Sequence, residues 1–394
     1  MKKKLNQDEY FMRYALELAA KGRGDVEPNP MVGCVIVQTP ARRGKAESAD
    51  GEAPKIVGEG WHQKYGGDHA EIVALKAAKK KAKNATVYVT LEPCCHFGKT
   101  PPCCDALIQA GVKKVVFAMR DPFPKVDGGG VKRLTEAGIE VVSGVLRDEA
   151  ERLNAPYLTR LTKQRPWIIG KWAMTLDGKM ATRTGSSYWI SSDESRVRVH
   201  QLRKRMDAIM IGSRTAMEDD PRLTVRLPEG ETTQRTPLRI VFDSGGTLSA
   251  FSELALTARD VPLLLVFGPE AAKEKKIFWE SKGAEVLVLD VPTREQRLIL
   301  LMEELAQRGV TNMLVEGGGE LLGHLFDLEY LDELRVFISP KIVGGAEAIV
   351  PVGGIGIELM KKATPLIDRK IETVGPDILV SGRLLYRSDA PKAK

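Results

Sequence analysis

The chain has 394 residues, 43% of them hydrophobic and 28% charged, and carries a net charge of +7. That is long and apolar enough for two cored domains rather than one. No run approaches the roughly 18 apolar residues of a membrane span, and the basic start, Met1 to Asp8, leads into no signal-peptide core, so the expected compartment is the cytoplasm.

From the N-terminus, Asp8 to Lys21 carries Tyr10, Phe11, Tyr14, Ala15 and Leu18 at helical spacing. Met31 to Val37 and Ile56 to Trp61 read as strands, with the polar stretch Gln38 to Lys55 a long loop between them. A helix is expected over His69 to Ala82, with Ile72, Val73 and Leu75 inward, and a β-branched strand over Thr86 to Leu91. Then come a helix at Cys103 to Ala110 ended by Gly111, a strand at Val115 to Ala118, a helix at Gly130 to Ala137 and a strand at Glu140 to Ser143. A single helix from Arg147 to Gln164 ends before Pro166, where the boundary is placed.

The second half restarts with a strand at Trp167 to Met174 and a helix at Asp193 to Lys204. Strands follow at Ala208 to Ile211, Arg239 to Phe242, Leu263 to Phe267 and Val286 to Leu289. A helix at Arg294 to Arg308 precedes a strand at Asn312 to Val315. Glu316-Gly-Gly-Gly-Glu320 then opens a helix through Phe326, and Leu334 to Ile338 is the last strand read. Both halves alternate as layered α/β domains do.

Four of the five cysteines, Cys94, Cys95, Cys103 and Cys104, sit in one short segment, which points to metal or catalysis and away from a disulfide framework. His69-Ala70-Glu71 stands at a helix start, Pro93-Cys94 follows a strand, and Pro102-Cys103 opens a helix. One imidazole and two thiolates leave the fourth position of a zinc ion for water, whose pKa then falls to about 7. Glu71, two residues beyond His69, can move the water's proton without ligating. This is the pattern of nucleobase deaminases. Cys94 and Cys103 are preferred as ligands because each follows a proline; Cys95 and Cys104 stay open as alternatives. Cysteines that merely close a structural zinc site would leave His69 and Glu71 without a purpose.

The charge could serve nucleic acid or a phosphorylated small molecule. The runs Lys2 to Lys4 and Lys79 to Lys83 read as solvated surface, since no aromatic residues interleave with them.

Several motifs resemble the bifunctional riboflavin-biosynthesis deaminase–reductase family. In the first half they are Asn29-Pro-Met-Val-Gly-Cys34, Gly60-Trp-His62, His69-Ala-Glu71 and Thr90-Leu-Glu-Pro-Cys94. The spacer Cys95-His-Phe-Gly-Lys-Thr-Pro-Pro-Cys103 is the most specific; cytidine and tRNA-adenosine deaminases usually have two residues there. In the second half they are Ala173-Met-Thr-Leu-Asp-Gly178, Gly185-Ser-Ser-Tyr-Trp-Ile190, Asp219-Asp-Pro-Arg-Leu-Thr-Val-Arg226 and Val315-Glu-Gly-Gly-Gly319. Cys95 stands where the family usually has Ser, and Asp68 where it has a small residue or Pro. The second half and the long spacer argue against an RNA base deaminase, and the intact His-x-Glu against a zinc-stabilised binding protein.

The resemblance implies a cytidine-deaminase-like three-layer domain over 1–147, a linker helix over 148–164 and a dihydrofolate-reductase-like domain over 165–394. It implies zinc on His69, Cys94 and Cys103 with Glu71 catalytic, and Asn29, His62, His96 and Lys99 around the pyrimidine. Ser187, Arg203, Leu223, Arg226 and Glu316 would hold the second substrate. Ala173, Trp189, Thr215, Asp219, Ser244, Gly318, Gly319, Glu320, Leu321, Leu322, Gly323 and His324 would touch NADPH. A glycine run before a helix suits a diphosphate, although it departs from the Rossmann spacing. A phosphorylated pyrimidine is the expected substrate and a homo-oligomer the expected assembly, without nucleic acid or membrane.

Overall fold

The first apolar runs lie side by side in one sheet. The computed structural model describes residues 6–39, 53–97, 101–123, 128–231, 233 and 235–389, in two units, Met1–Lys163 and Gln164–Lys394. The first holds β1 (Gly33–Gln38), β2 (Lys55–Trp61), β3 (Thr86–Leu91), β4 (Lys114–Met119) and β5 (Glu140–Ser143) in the order β2-β1-β3-β4-β5. Its helices are α1 (Gln7–Ala20), α2 (Ala70–Ala78), α3 (Cys103–Ala110), α4 (Gly129–Glu136), α5 (Arg147–Leu153) and α6 (Ala155–Thr162). β1 runs antiparallel to β2 and β3, whereas β3, β4 and β5 are parallel.

Two glycines decide how the helices sit. A side chain at Gly33 would strike the Ala15 carbonyl of α1, and one at Gly60 would lie 2.7 Å from the Ala74 nitrogen of α2. Gly60 pairs with Cys34, the neighbour of Gly33. Successive residues of a strand face opposite ways, so α1 and α2 cover opposite faces and the unit is three layers. This close approach revises the expected inner face of α2. The buried residues are Ala70, Glu71, Ala74 and Ala78, small enough to sit on glycine apart from Glu71, while Ile72, Val73 and Leu75 are half-buried. An Asn6–Glu9 capping box starts α1.

The helix expected over 147–164 is two helices. The chain turns out of helical geometry at Asn154 (φ −98°, ψ 18°), and Pro156 follows in the first turn of α6. Asn154 instead grips Met31, accepting from its N–H at 2.8 Å and donating to its carbonyl at 2.9 Å. α5 and α6 belong to the first unit.

The second unit has β6 (Trp167–Thr175), β7 (Ala208–Gly212), β8 (Leu238–Phe242), β9 (Leu263–Phe267), β10 (Glu285–Val288), β11 (Asn312–Glu316), β12 (Glu333–Ser339), β13 (Leu366–Val374) and β14 (Asp377–Leu384). The order is β10-β9-β8-β7-β11-β6-β12-β14-β13. It is parallel from β10 through β12, with the β13–β14 hairpin antiparallel at one edge. Its helices are α7 (Asp193–Arg203), α8 (Ser213–Asp219), α9 (Glu253–Leu256), α10 (Lys273–Ser281), α11 (Arg294–Gln307) and α12 (Gly319–Asp327). Leu298, Leu301, Met302 and Leu305 of α11 and Leu321, Leu322 and Leu325 of α12 pack with strand residues in its core. No helix among the described residues is long and apolar enough to cross a membrane.

Candidate active sites

In the first unit the carboxyl end of β3 meets the starts of two helices. His69 is the residue before α2, Cys94 lies just beyond β3, and Cys103 opens α3. Their ligand atoms all lie within 4.8 Å of one another. His69 Nδ1 is 3.2 Å from the Cys103 sulfur and 3.6 Å from the Cys94 sulfur. One nitrogen and two sulfurs converging with a side left open fit a tetrahedral zinc ion that keeps a fourth position.

The two sulfurs differ. Cys94 is held well below its ordinary value, first by the thiol of Cys103, then by His69 and the Cys103 backbone N–H, against the pull of burial. Cys103 is correspondingly pushed up, with the bond to Cys94 as the main cause. His69 is raised, chiefly by its bond to Cys94. Glu71 is buried beside this group, and burial together with the Cys94 charge pushes its carboxyl up to about 7.

A cavity of about 330 Å³ opens over these residues and is also lined by Asn29, His62 and His96. Burial lowers the His62 pKa, against the opposing pull of the Asp68 carbonyl. Its Nδ1 is 2.9 Å from the Asp68 carbonyl and its Nε2 3.1 Å from the Asn29 amide nitrogen. That pattern places the proton on Nδ1, so Nε2 accepts from Asn29. The buried Nδ1 of His96 has no hydrogen-bond partner among the described residues. Lys99 lies outside the described residues. Asp121, Tyr157 and Arg160 also line the cavity, with the Tyr157 hydroxyl donating to Asp121 at 2.8 Å; no motif singled them out.

In the second unit a cavity of about 680 Å³ opens where β7, β8 and β11 end, the side of a parallel sheet where ligands bind. Ser187, Thr215, Asp219, Gly318, Gly319, Glu320 and Leu321 line it. Gly317 and Gly318 have φ values of 66° and 79°, and a side chain at Gly318 would lie 3.1 Å from the Thr215 hydroxyl. A side chain at Gly319 would strike the Val350 carbonyl. The turn is thus a bare backbone cradle at the start of α12, which fits the diphosphate of a dinucleotide. The Ser244 hydroxyl is buried without a partner among the described residues.

Other expected nucleotide contacts do not line that cavity. Leu322 is fully buried in the core, because the inner face of α12 takes it there with Leu325. Gly323 packs its backbone against Gly353 and Gly354. His324 faces Glu295, 3.1 Å away. Trp189 is exposed beneath Arg196, and Ala173 packs against Val199, Phe337, Val374 and Leu379.

The expected substrate residues form a second cluster. Arg203 is buried and its fork is taken by Glu316, at 2.5 and 2.9 Å, with its remaining nitrogen on the Thr224 carbonyl. It therefore sets Glu316 in place. Lys171, which sequence reasoning missed, stands 3.5 Å from the same carboxylate. Burial alone would raise Glu316, but the Arg203 and Lys171 cations outweigh it and hold its carboxyl at about 2. Leu223 is buried with φ 51°. Arg226 is exposed, and its backbone N–H donates to His200 Nδ1 at 3.1 Å.

One site built for hydrolysis at a metal and another for a nucleotide define an enzyme of the deaminase–reductase class. Known proteins resolve this further. Residues 5–119 match the family model for the cytidine and deoxycytidylate deaminase zinc-binding region, and residues 166–380 match that for the RibD C-terminal domain. The riboflavin biosynthesis protein RibD of Aquifex aeolicus is 40% identical, covering 95% of this chain and 97% of that one. That of Escherichia coli is 41% identical, covering 94% and 98%. Solved structures agree: Acinetobacter baumannii RibD has a TM-score of 0.81 at 32% identity, over 96% of this chain and 99% of that one. A Thermotoga maritima diaminohydroxyphosphoribosylaminopyrimidine deaminase/5-amino-6-(5-phosphoribosylamino)uracil reductase has a TM-score of 0.77 at 35% identity, with the same coverage. The chain belongs to the RibD family of riboflavin-biosynthesis proteins, with both its deaminase and its reductase parts.

Proposed function

We propose that the chain catalyses two consecutive steps on a phosphorylated pyrimidine. The first is hydrolysis of the 2-amino group of 2,5-diamino-6-(5-phosphoribosylamino)pyrimidin-4-one. The second is NADPH-dependent reduction of the ribosyl group of the aminouracil product to ribityl. The solved Thermotoga maritima relative is named for these two activities. The observation that carries the reading is Glu71, buried in one cavity with His69 and Cys94 and beside Cys103.

Zinc, when held by His69, Cys94 and Cys103, supplies Lewis acidity that activates water at neutral pH. Glu71 takes a proton from the attacking water, delivers it to the ring nitrogen, and assists departure of ammonia. Water and amine are thereby exchanged for carbonyl and ammonia, with no net redox change. Asn29, steadied by His62, and His96 line the first unit's cavity and would bind the pyrimidine's polar edge. In the second unit NADPH, when bound, would supply hydride to C1′ of the ring-opened ribosylamine, with solvent giving the accompanying proton. Ser187 lines the second unit's cavity, while Glu316, set in place by Arg203, holds the substrate with Leu223 and Arg226; its phosphate falls to Arg226, the exposed cation of the group.

The same reading assigns deamination to the first unit, which ends at Lys163 and so takes in the helices first expected to be a linker, and reduction to residues from 165 onward; it makes the enzyme a cytoplasmic homo-oligomer that uses no nucleic acid. Its test is incubation with the diamino substrate, with and without NADPH, with both products identified by mass. Ammonia release without NADPH and a ribityl product only with it are expected; no ammonia from the zinc-loaded protein sinks the reading. Residues from 165 onward, expressed alone, should reduce the deaminated substrate, and light scattering reads the assembly state.

A further inference from the structure

At one end of the second unit's cavity two arginines face a single carboxylate. Arg214 stands in the first turn of α8, directly after β7, and Arg294 opens α11. Glu320, in the first turn of α12, reaches both. One of its oxygens pairs with Arg294, and the other is 3.9 Å from Arg214. All three line the cavity together with Gly317, Gly318 and Gly319. The side chains of Arg214 and Glu320 are 72% and 50% exposed, so neither is fixed in the core and the carboxylate is free to move.

The cradle at the start of α12 can meet a diphosphate through backbone N–H groups alone. That leaves two guanidinium forks beyond it, a group suited to one further dianion. We propose that Arg214 and Arg294 form a clamp for the 2′-phosphate of the dinucleotide's adenosine ribose, and that Glu320 is the resident anion this phosphate displaces. The clamp selects NADPH over NADH. An arginine at the ribose is a recurrent way for a dinucleotide site to accept the 2′-phosphate. Without that phosphate Glu320 keeps its partners, and NADH gains nothing from the arginines. The inference rests on the reading of this cavity as a dinucleotide site.

The experiment is calorimetric titration of NADP+ and NAD+ into the full-length chain, as wild type and as Arg214→Gln, Arg294→Gln and Glu320→Gln. Each arginine variant should weaken NADP+ binding by about tenfold to a hundredfold and leave NAD+ within about twofold. Glu320→Gln should tighten NADP+, a gain that misfolding does not produce. Equal weakening of both nucleotides by the arginine variants would put the arginines on the diphosphate and overturn the clamp. Unchanged NADP+ affinity would reduce the trio to surface ion pairs and also overturn it. If wild type binds neither nucleotide, the dinucleotide reading itself falls, and the clamp with it.

Discussion

The backbone N–H of Cys103 points at the sulfur of Cys94, 3.3 Å away. The first turn of α3 would thus supply one zinc ligand and stabilise the charge on the other. Cys95 and Cys104 have different surroundings. The Cys104 thiol donates to the Pro93 carbonyl at 3.3 Å, and the Cys95 sulfur lies against Gly129. Cys94→Ser and Cys103→Ser should therefore lose zinc, and Cys95→Ser and Cys104→Ser should keep it. Metal content by mass spectrometry decides this, and zinc loss from Cys95→Ser would overturn the ligand set.

Glu71→Gln should retain zinc and lose deamination by about 10²–10⁴-fold, the usual worth of a positioned acid–base group. Near-normal ammonia release by the zinc-loaded variant would remove Glu71 from proton transfer. Reduction by the same protein should continue unchanged.

Arg203 and Arg226 should separate cleanly. Arg226→Ala should raise KM for reduction, losing about 1.5–3 kcal/mol of a charge-assisted contact, with deamination intact. Arg203→Ala should lower the stability of the second unit, because it strips the fork from a buried carboxylate; breaking such a pair costs about 3–5 kcal/mol. Denaturation curves and steady-state kinetics on both variants read the difference. A stable Arg203→Ala protein with only a KM defect would contradict the assignment.

His200 gives a pH signature. Burial, then the cations of Arg203 and Arg226, hold it at about 4 against the opposing pull of Glu316 and the Thr224 carbonyl. Its neutral Nδ1 accepts from Arg226. An unfolded histidine titrates near 6.5, so the unfolded chain takes up the proton first as pH falls. The contribution is fully present above about 6.5 and is lost as pH falls toward 4. His200→Asn, which keeps an acceptor but cannot titrate, should flatten this part of the acid stability profile. An NMR midpoint for His200 near 6.5 in the folded protein would refute the neutral tie.

The metal cluster was legible because its residues sit at element ends, marked by a helix start or a proline. The cavity wall was not: Asp121 and Tyr157 meet across 36 residues with no motif at either end. Arg203 and Glu316 were both singled out, but as separate substrate contacts; their pairing spans 113 residues, which spacing cannot reveal. β13 and β14 were both missed; in β13, an edge strand, the run Asp368 to Lys370 is exposed and charged and breaks the apolar pattern. The inner face of α2 differs from the expected one because contact with Gly58 and Gly60 demands small residues, Ala74 and Ala78, where hydrophobicity alone favours Ile72, Val73 and Leu75.

The grip of Asn154 on Met31 bears on where the chain can be cut. A fragment ending at 147 discards that double tether two residues from Asn29. It also discards Tyr157 and Arg160 from the cavity wall. Such a piece would keep His69, Cys94 and Cys103, the proposed zinc ligands, and still lack one side of the cavity above them. The shortest autonomous deaminase should therefore run to about Lys163, where the first unit ends, and a 1–147 fragment should bind metal better than it turns over.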